Sequence, residues 1–190
     1  MKKISQFLVL SSLVFLPVQV FPSYDNSQDS ITTMEFAAFL FDFALYHQAF
    51  GPSDNIHEQE IQEVKEVFLQ AYNDGSMQIK DLNKFLQSSF QLSEFCETMN
   101  VNYDLLGVDR QVTMLELFSS WTLVDHYLIK LLIDLGYNVD NEAQRIISRI
   151  CKDLTRINLS QRERQDLENC LNLIVNAAST SVQQVLYFPK

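Results

Sequence analysis

From Thr32 onward apolar residues recur at spacings of three and four, the pattern of helices that bury one side. The stops and starts between these runs are legible. Thr32 with Glu35, Thr113 with Glu116, and Ser160 with Glu163 stand at capping-box spacing. In that motif the hydroxyl accepts from the third helical N–H while the carboxylate reaches back to the cap. The pattern predicts a first helix over Thr33–Phe50, stopped by Gly51-Pro52, and a second from Asp54 or Asn55 to Tyr72, closed by Asn73-Asp74-Gly75. Further helices are predicted over Ile79–Phe90, Ser93–Met99, Met114–Leu135 with Gly136 as its stop, Asn141–Ile157, and from Ser160 toward Val185. Asn100–Gln111 is the least regular part. There is no strand-type alternation and no internal repeat, and the short loops predict antiparallel neighbours.

Two runs are apolar almost all round. MEFAAFLFDFALYHQAF leaves only Glu35, Asp42 and Tyr46 on a narrow polar edge. LELFSSWTLVDHYLIKLLIDL leaves Glu116, Ser120, Tyr127, Lys130 and Asp134. Helices of that kind are buried, so these two are expected side by side at the centre with the amphipathic, acidic ones around them. The expected fold is all-α, a single-domain bundle of six or seven helices over residues 32–190, after a signal segment and a polar lead-in over 24–31.

The signal segment is read over residues 1–23. Lys2 and Lys3 form a positive start, and the apolar stretch that follows is densest from Phe7 to Leu16, the length of a secretory h-region. Pro17 ends any helix there. The stretch falls short of the roughly 20 apolar residues of a spanning helix, so no transmembrane domain is expected once the signal is removed. No Ala precedes Ala37, so an A-x-A cleavage site is lacking. The expected location is therefore the periplasm, the envelope or the medium, with an uncleaved inner-membrane anchor as the alternative. The three cysteines, Cys96, Cys151 and Cys170, cannot all pair within one chain and are expected as small core residues.

Composition narrows the class. Four glycines and four prolines in 190 residues are too few for an all-β fold, and 47% hydrophobic residues exclude a disordered chain. The net charge of -10 disfavours nucleic acid, whose phosphates need clustered cations. The charge is also unevenly spread. From Tyr24 to Gln144 acidic residues outnumber basic ones 20 to 5, whereas from Arg145 to Arg164 basic residues outnumber acidic ones 6 to 2. Arg145, Arg149, Lys152 and Arg156 fall on one side of the predicted sixth helix, opposite Ala143, Ile146, Ile147, Ile150, Leu154 and Ile157. This basic stripe either contacts an acidic partner or anionic surface or complements the protein's own acidic body.

Candidate chemistry is sparse. His47 projects into the apolar arc of the first helix with Phe36 and Leu40, and Asp125 projects among Phe118, Trp121, Leu128 and Leu132. A buried carboxylate must be paired or protonated, so the two are candidates to meet in the core or to line a pocket. No third member of a hydrolytic triad is apparent. The histidines do not fall in metal-binding motifs, and the acidic run Glu58, Glu60, Glu63, Glu66 is read as a solvated face.

One stretch, IHEQEIQEVKEVFLQAYNDGSMQIKDL, resembles the entering helix, Asp-Gly turn and exiting helix of a calmodulin-type EF-hand. The likeness rests on Glu58, Ile61, Glu63, Lys65, Glu66, Phe68, Asp74, Gly75 and Leu82. With Gly75 as the sixth loop residue, Gln70 and Tyr72 stand where carboxylates belong, and Asp81 replaces the bidentate Glu. An ordinary helical hairpin without calcium is expected.

The functional expectation is an exported, non-enzymatic interaction or structural protein, an envelope component or secreted effector, that binds a protein partner or a second copy of itself. No catalytic residue, cofactor or metal ligand is assigned. The alternatives are a small ligand-binding protein or hydrolase built on Asp125 and His47, and a degenerate EF-hand-like metal-dependent regulator.

Overall fold

A computed structural model describes residues 31–50, 54–101, 109–120 and 124–179, with the side chains of residues 47–50 and 54–56 outside the described set. The expected signal segment, most of the expected lead-in and the last eleven residues also lie outside it. Among the described residues the regular secondary structure is helical apart from one pair of two-residue strands, so the all-α bundle stands.

The first four helices form one half of the core. α1 (Thr33–Phe50) opens with a complete capping box: Thr32 N donates to Glu35 Oε2 at 2.8 Å and Glu35 N to Thr32 Oγ1 at 3.2 Å. It buries Phe36, Ala37, Leu40, Phe41 and Ala44. Phe36 packs on Phe68 of α2 (Asp54–Asn73) and on Phe85 of α3 (Leu82–Gln87), with ring centres 4.6 and 5.8 Å away. Phe41 meets Phe95 of α4 (Leu92–Met99) edge-on. The sequence predicts burial all round α1, but only one face is covered by these neighbours. Phe39 and Phe43 are half-buried, and Leu45 and Tyr46 are exposed.

The helix expected over Ile79–Phe90 is shorter. Asp81 caps it by accepting from Lys84 N at 3.0 Å, and the chain turns extended at Ser88. Phe90 then enters β1 (Phe90–Gln91), which pairs antiparallel with β2 (Gln111–Val112), Phe90 opposite Val112. Each strand leads into a helix, β1 into α4 and β2 through Thr113 into α5 (Met114–Phe118).

The largest correction concerns the expected long helix over Met114–Leu135. It is broken into α5, buried at all five positions, and α6 (His126–Asp134). The break has a local cause. The hydroxyls of Ser119 and Ser120 bond back to the carbonyls of Glu116 and Leu117, and Asp125 starts a new helix by accepting from Tyr127 N at 3.0 Å and Leu128 N at 3.1 Å. Such residues favour helix starts over helix interiors because their side chains compete for backbone groups. α6 buries Leu128, Ile129, Leu131 and Leu132 and packs against α2, α5 and the last helix. It ends as predicted at Gly136, whose φ of 98° allows Gly136 N and Tyr137 N to reach back to the carbonyls of Ile133 and Leu132.

α7 (Ala143–Leu154) and α8 (Gln161–Ala177) pack on each other, and α8 packs on α6. α8 opens with the second complete capping box, Ser160 with Glu163. α7 ends three residues before the predicted Ile157, which leaves the apolar arc and stands 96% exposed in the turn. No described helix is long and apolar enough to cross a membrane.

Candidate functional site

The expected meeting of His47 with Asp125 lies outside the described residues. His47 lies in α1, but its side chain is outside the described residues, as is Trp121. Among the described residues Asp125 meets His57 of α2. Its Oδ2 lies 3.4 Å from His57 Nε2, both side chains being buried, while Oδ1 caps α6. The His57 ring sits edge-on to Tyr127 at 4.6 Å and stacks on Phe43 at 5.7 Å. Beside it His126 Nδ1 and Asp166 Oδ1 are 2.7 Å apart. A carboxylate that orients an imidazole is the supporting half of a nucleophilic triad. The nearby thiol, Cys170, is fully buried, and burial, aided by Asp125 and Asp166, pushes it well above the usual thiol range. A thiol held in its protonated form is a poor nucleophile. This arrangement fixes the start of α6 against α2.

His57 was legible in one respect. It shares a helical stripe with Ile61, Val64 and Phe68, all buried. The acidic residues around it mask that stripe: Glu58, Glu63 and Glu66 are exposed as expected, whereas Glu60 is half-buried and its carboxyl is pushed up by burial.

The basic stripe is divided. Glu116, expected on the polar side of its helix, is buried and gathers three guanidinium groups. Arg145 Nη1 lies 2.8 Å and Arg149 Nη1 3.4 Å from Glu116 Oε1, and Arg110 Nη1, just before β2, bonds to the same oxygen. Arg149 Nη2 also donates to Glu116 O at 2.9 Å and Ser119 Oγ at 2.6 Å. Burial pulls the Arg149 guanidinium below its ordinary value, with Glu116 opposing. Glu116 therefore completes only half of its predicted capping box: Glu116 N donates to Thr113 Oγ1, but its carboxylate turns to the arginines. Glu142 accepts from Thr113 Oγ1 and Tyr137 OH, which joins α7 to the same node. Arg156 Nε lies 3.0 Å from the buried Asp153. Lys152 stands exposed.

Between α2 and α6 runs a shallow groove of about 520 Å³ that includes Gln62, Tyr127 and Leu131. Two ion pairs cross it, Lys130 to Glu58 at 2.8 Å and Lys65 to Asp134 at 3.2 Å. The Lys130 ammonium holds the Glu58 carboxyl below its usual range, and Glu58 in turn raises Lys130.

In the hairpin that resembles an EF-hand, Gly75 has φ 77° and the carboxylates turn to the chain itself. Asp74 Oδ1 accepts from the backbone and hydroxyl of Ser76, and Asp81 caps α3. Among the described residues no group of three or more His, Cys, Asp or Glu side chains is placed to hold a metal ion. All three cysteines are free. Cys96 and Cys170 are buried, but Cys151, expected in the core, is exposed because it lies on the outer side of α7.

What remains on the surface is the α7–α8 turn. Ile157 projects from it, and Lys152 and Arg156 before it in the chain and Arg162 and Arg164 after it are all exposed. Comparison of the chain with protein-family models, with curated proteins and with solved structures finds no match.

Proposed function

We propose that this protein is an exported, non-enzymatic interaction protein, an envelope component or secreted effector, whose working surface is the basic arm made by α7, the following turn and the start of α8. Export is read from the positive, apolar start of the chain. The observation that carries the interaction reading is charge segregation. Residues 145–164 hold six basic and two acidic residues on a chain of net charge -10. Opposite charge on a partner steers encounter and sets orientation. The arginines nearest the core brace α7 against α5 through Glu116, and the cations toward the turn face outward. The brace holds the arm in place and the outer cations meet the partner.

Photocrosslinking in the native compartment tests this. A diazirine-bearing side chain at position 152 or 162 should capture a macromolecule, and the same group at position 63, on the acidic outer face of α2, should not. Capture from position 63 alone would overturn the reading.

A further inference from the structure

We infer that the α7–α8 turn docks end-on onto an anionic lipid surface, with Ile157 entering the headgroup layer and Lys152 and Arg162 seated on phosphates. This rests on the reading of the basic arm as the working surface and names its partner.

A single exposed aliphatic residue is ordinary on a soluble protein. Three features set Ile157 apart. First, the turn presents it rigidly. Thr155 N and Oγ1 both donate to Lys152 O, Arg156 N donates to Asp153 O, and Arg164 Nη1 donates to Leu154 O at 3.2 Å. Leu154 and Leu159, on either side, are packed against the core. Ile157 is thus 96% exposed at the apex of an anchored turn.

Second, the charge around the apex is net positive. Residues 152–164 carry four of the chain's 14 basic residues and two of its 24 acidic ones. Asp153 is buried against Arg156, so that pair cancels, and Glu163 closes the capping box with Ser160 but keeps its charge, which leaves Lys152, Arg162 and Arg164 against one carboxylate. The other exposed residues there, Thr155, Asn158, Ser160 and Gln161, are neutral hydrogen-bonding groups. Third, the chain as a whole is acidic, so an anionic surface favours an approach led by this basic segment.

A protein partner fits this surface less well. Stable protein interfaces bury about 800 Å² on each side around an apolar, often aromatic centre. Here one isoleucine stands on a narrow turn whose neighbours in the chain are exposed cations and small polar groups. Membrane surfaces accept that combination, since apolar insertion and attraction to anionic headgroups add together.

The test is co-sedimentation of the full chain, after removal of any signal, with phosphatidylcholine vesicles and with vesicles that also contain phosphatidylglycerol. Binding is expected only to the anionic vesicles. Ile157→Asp should weaken it about 10- to 100-fold, the cost of losing one buried aliphatic side chain. Arg162→Gln should weaken it about 5-fold, the loss of one cation near the surface. Neither side chain packs in the core, so both variants should melt with the parent. Equal binding to neutral vesicles, no binding to anionic ones, or binding indifferent to Ile157→Asp would overturn the inference. Failure on vesicles with continued crosslinking from positions 152 and 162 to a protein would overturn it too, while leaving the interaction reading in place.

Discussion

Glu116→Gln removes the charge at the junction of α5, α7 and the chain before β2. The wild-type carboxylate is buried, 4% exposed as a side chain, and faces three guanidinium groups that differ in their access to water. Arg110 and Arg145 are 41% and 55% exposed, so solvent already screens them and their loss of a partner costs little. Arg149 is 26% exposed and has its outward reach taken up by Glu116 and Ser119. Breaking a buried pair by removing one charge costs about 3–5 kcal/mol, because the other charge is left behind. Discounted for the two exposed arginines and for the amide oxygen that still accepts, the expected loss is about 2–3 kcal/mol. For a chain of this size that lowers Tm by roughly 4–12 °C. Urea unfolding followed by circular dichroism measures it. The double variant Glu116→Gln, Arg149→Met should recover part of the loss, since an apolar replacement removes the stranded charge. A loss below about 0.5 kcal/mol, the range of neutral surface changes, would refute the claim that Glu116 braces α7.

Three further predictions follow from the same geometry. Asp125→Ala should cost about 1–3 kcal/mol by urea unfolding, from a lost helix cap and a lost contact to His57, whereas Asp125→Asn should cost less than about 1 kcal/mol because its amide oxygen still caps α6; equal losses would mean the cap is not the main role. Under native conditions a thiol reagent should modify Cys151 and spare Cys96 and Cys170 until the protein unfolds, as read by mass spectrometry of the modified peptides. Burial raises the Cys170 thiol above 9.0 and the Tyr137 phenol above 10.0, so the folded state holds both protons more tightly than the unfolded state. Their contribution to stability should therefore be at its full value below about pH 9 and fall as pH rises beyond it, and Cys170→Ser should flatten the start of that fall in urea midpoints.

The sequence showed the fold class because caps and stops are local. Thr32, Ser160 and Gly136 each do in the structure what their neighbours predict. It misled where two local signals compete. Met114–Leu135 has a continuous apolar period, yet Ser119, Ser120 and Asp125 divert backbone hydrogen bonds and split it. Asp125 therefore marked a helix start, which periodicity alone reads as a polar residue on the wrong face. Its partner came from α2, 68 positions earlier in the chain, and no local pattern encodes which helix packs beside which. The same limit applies to Glu116, whose polar-edge reading ignored arginines arriving from α7 and from before β2. Ile157 fitted an apolar arc only while the helix was taken to reach it. Once α7 stops at Leu154, that residue becomes the most exposed large hydrophobic side chain of the described surface.

Cys151 lies on the outer side of α7, close in sequence to the turn that carries Ile157, and offers a natural reporter of the arm. The most direct measurement places an environment-sensitive fluorophore on Cys151 and adds membranes from the protein's own compartment. A control with Cys151→Ser carries the dye at Gln59→Cys, on the exposed side of α2. Docking of the arm predicts a blue shift and slower tumbling from Cys151 with a smaller change in emission from position 59. No change at Cys151, or an equal emission shift at both positions, would contradict it.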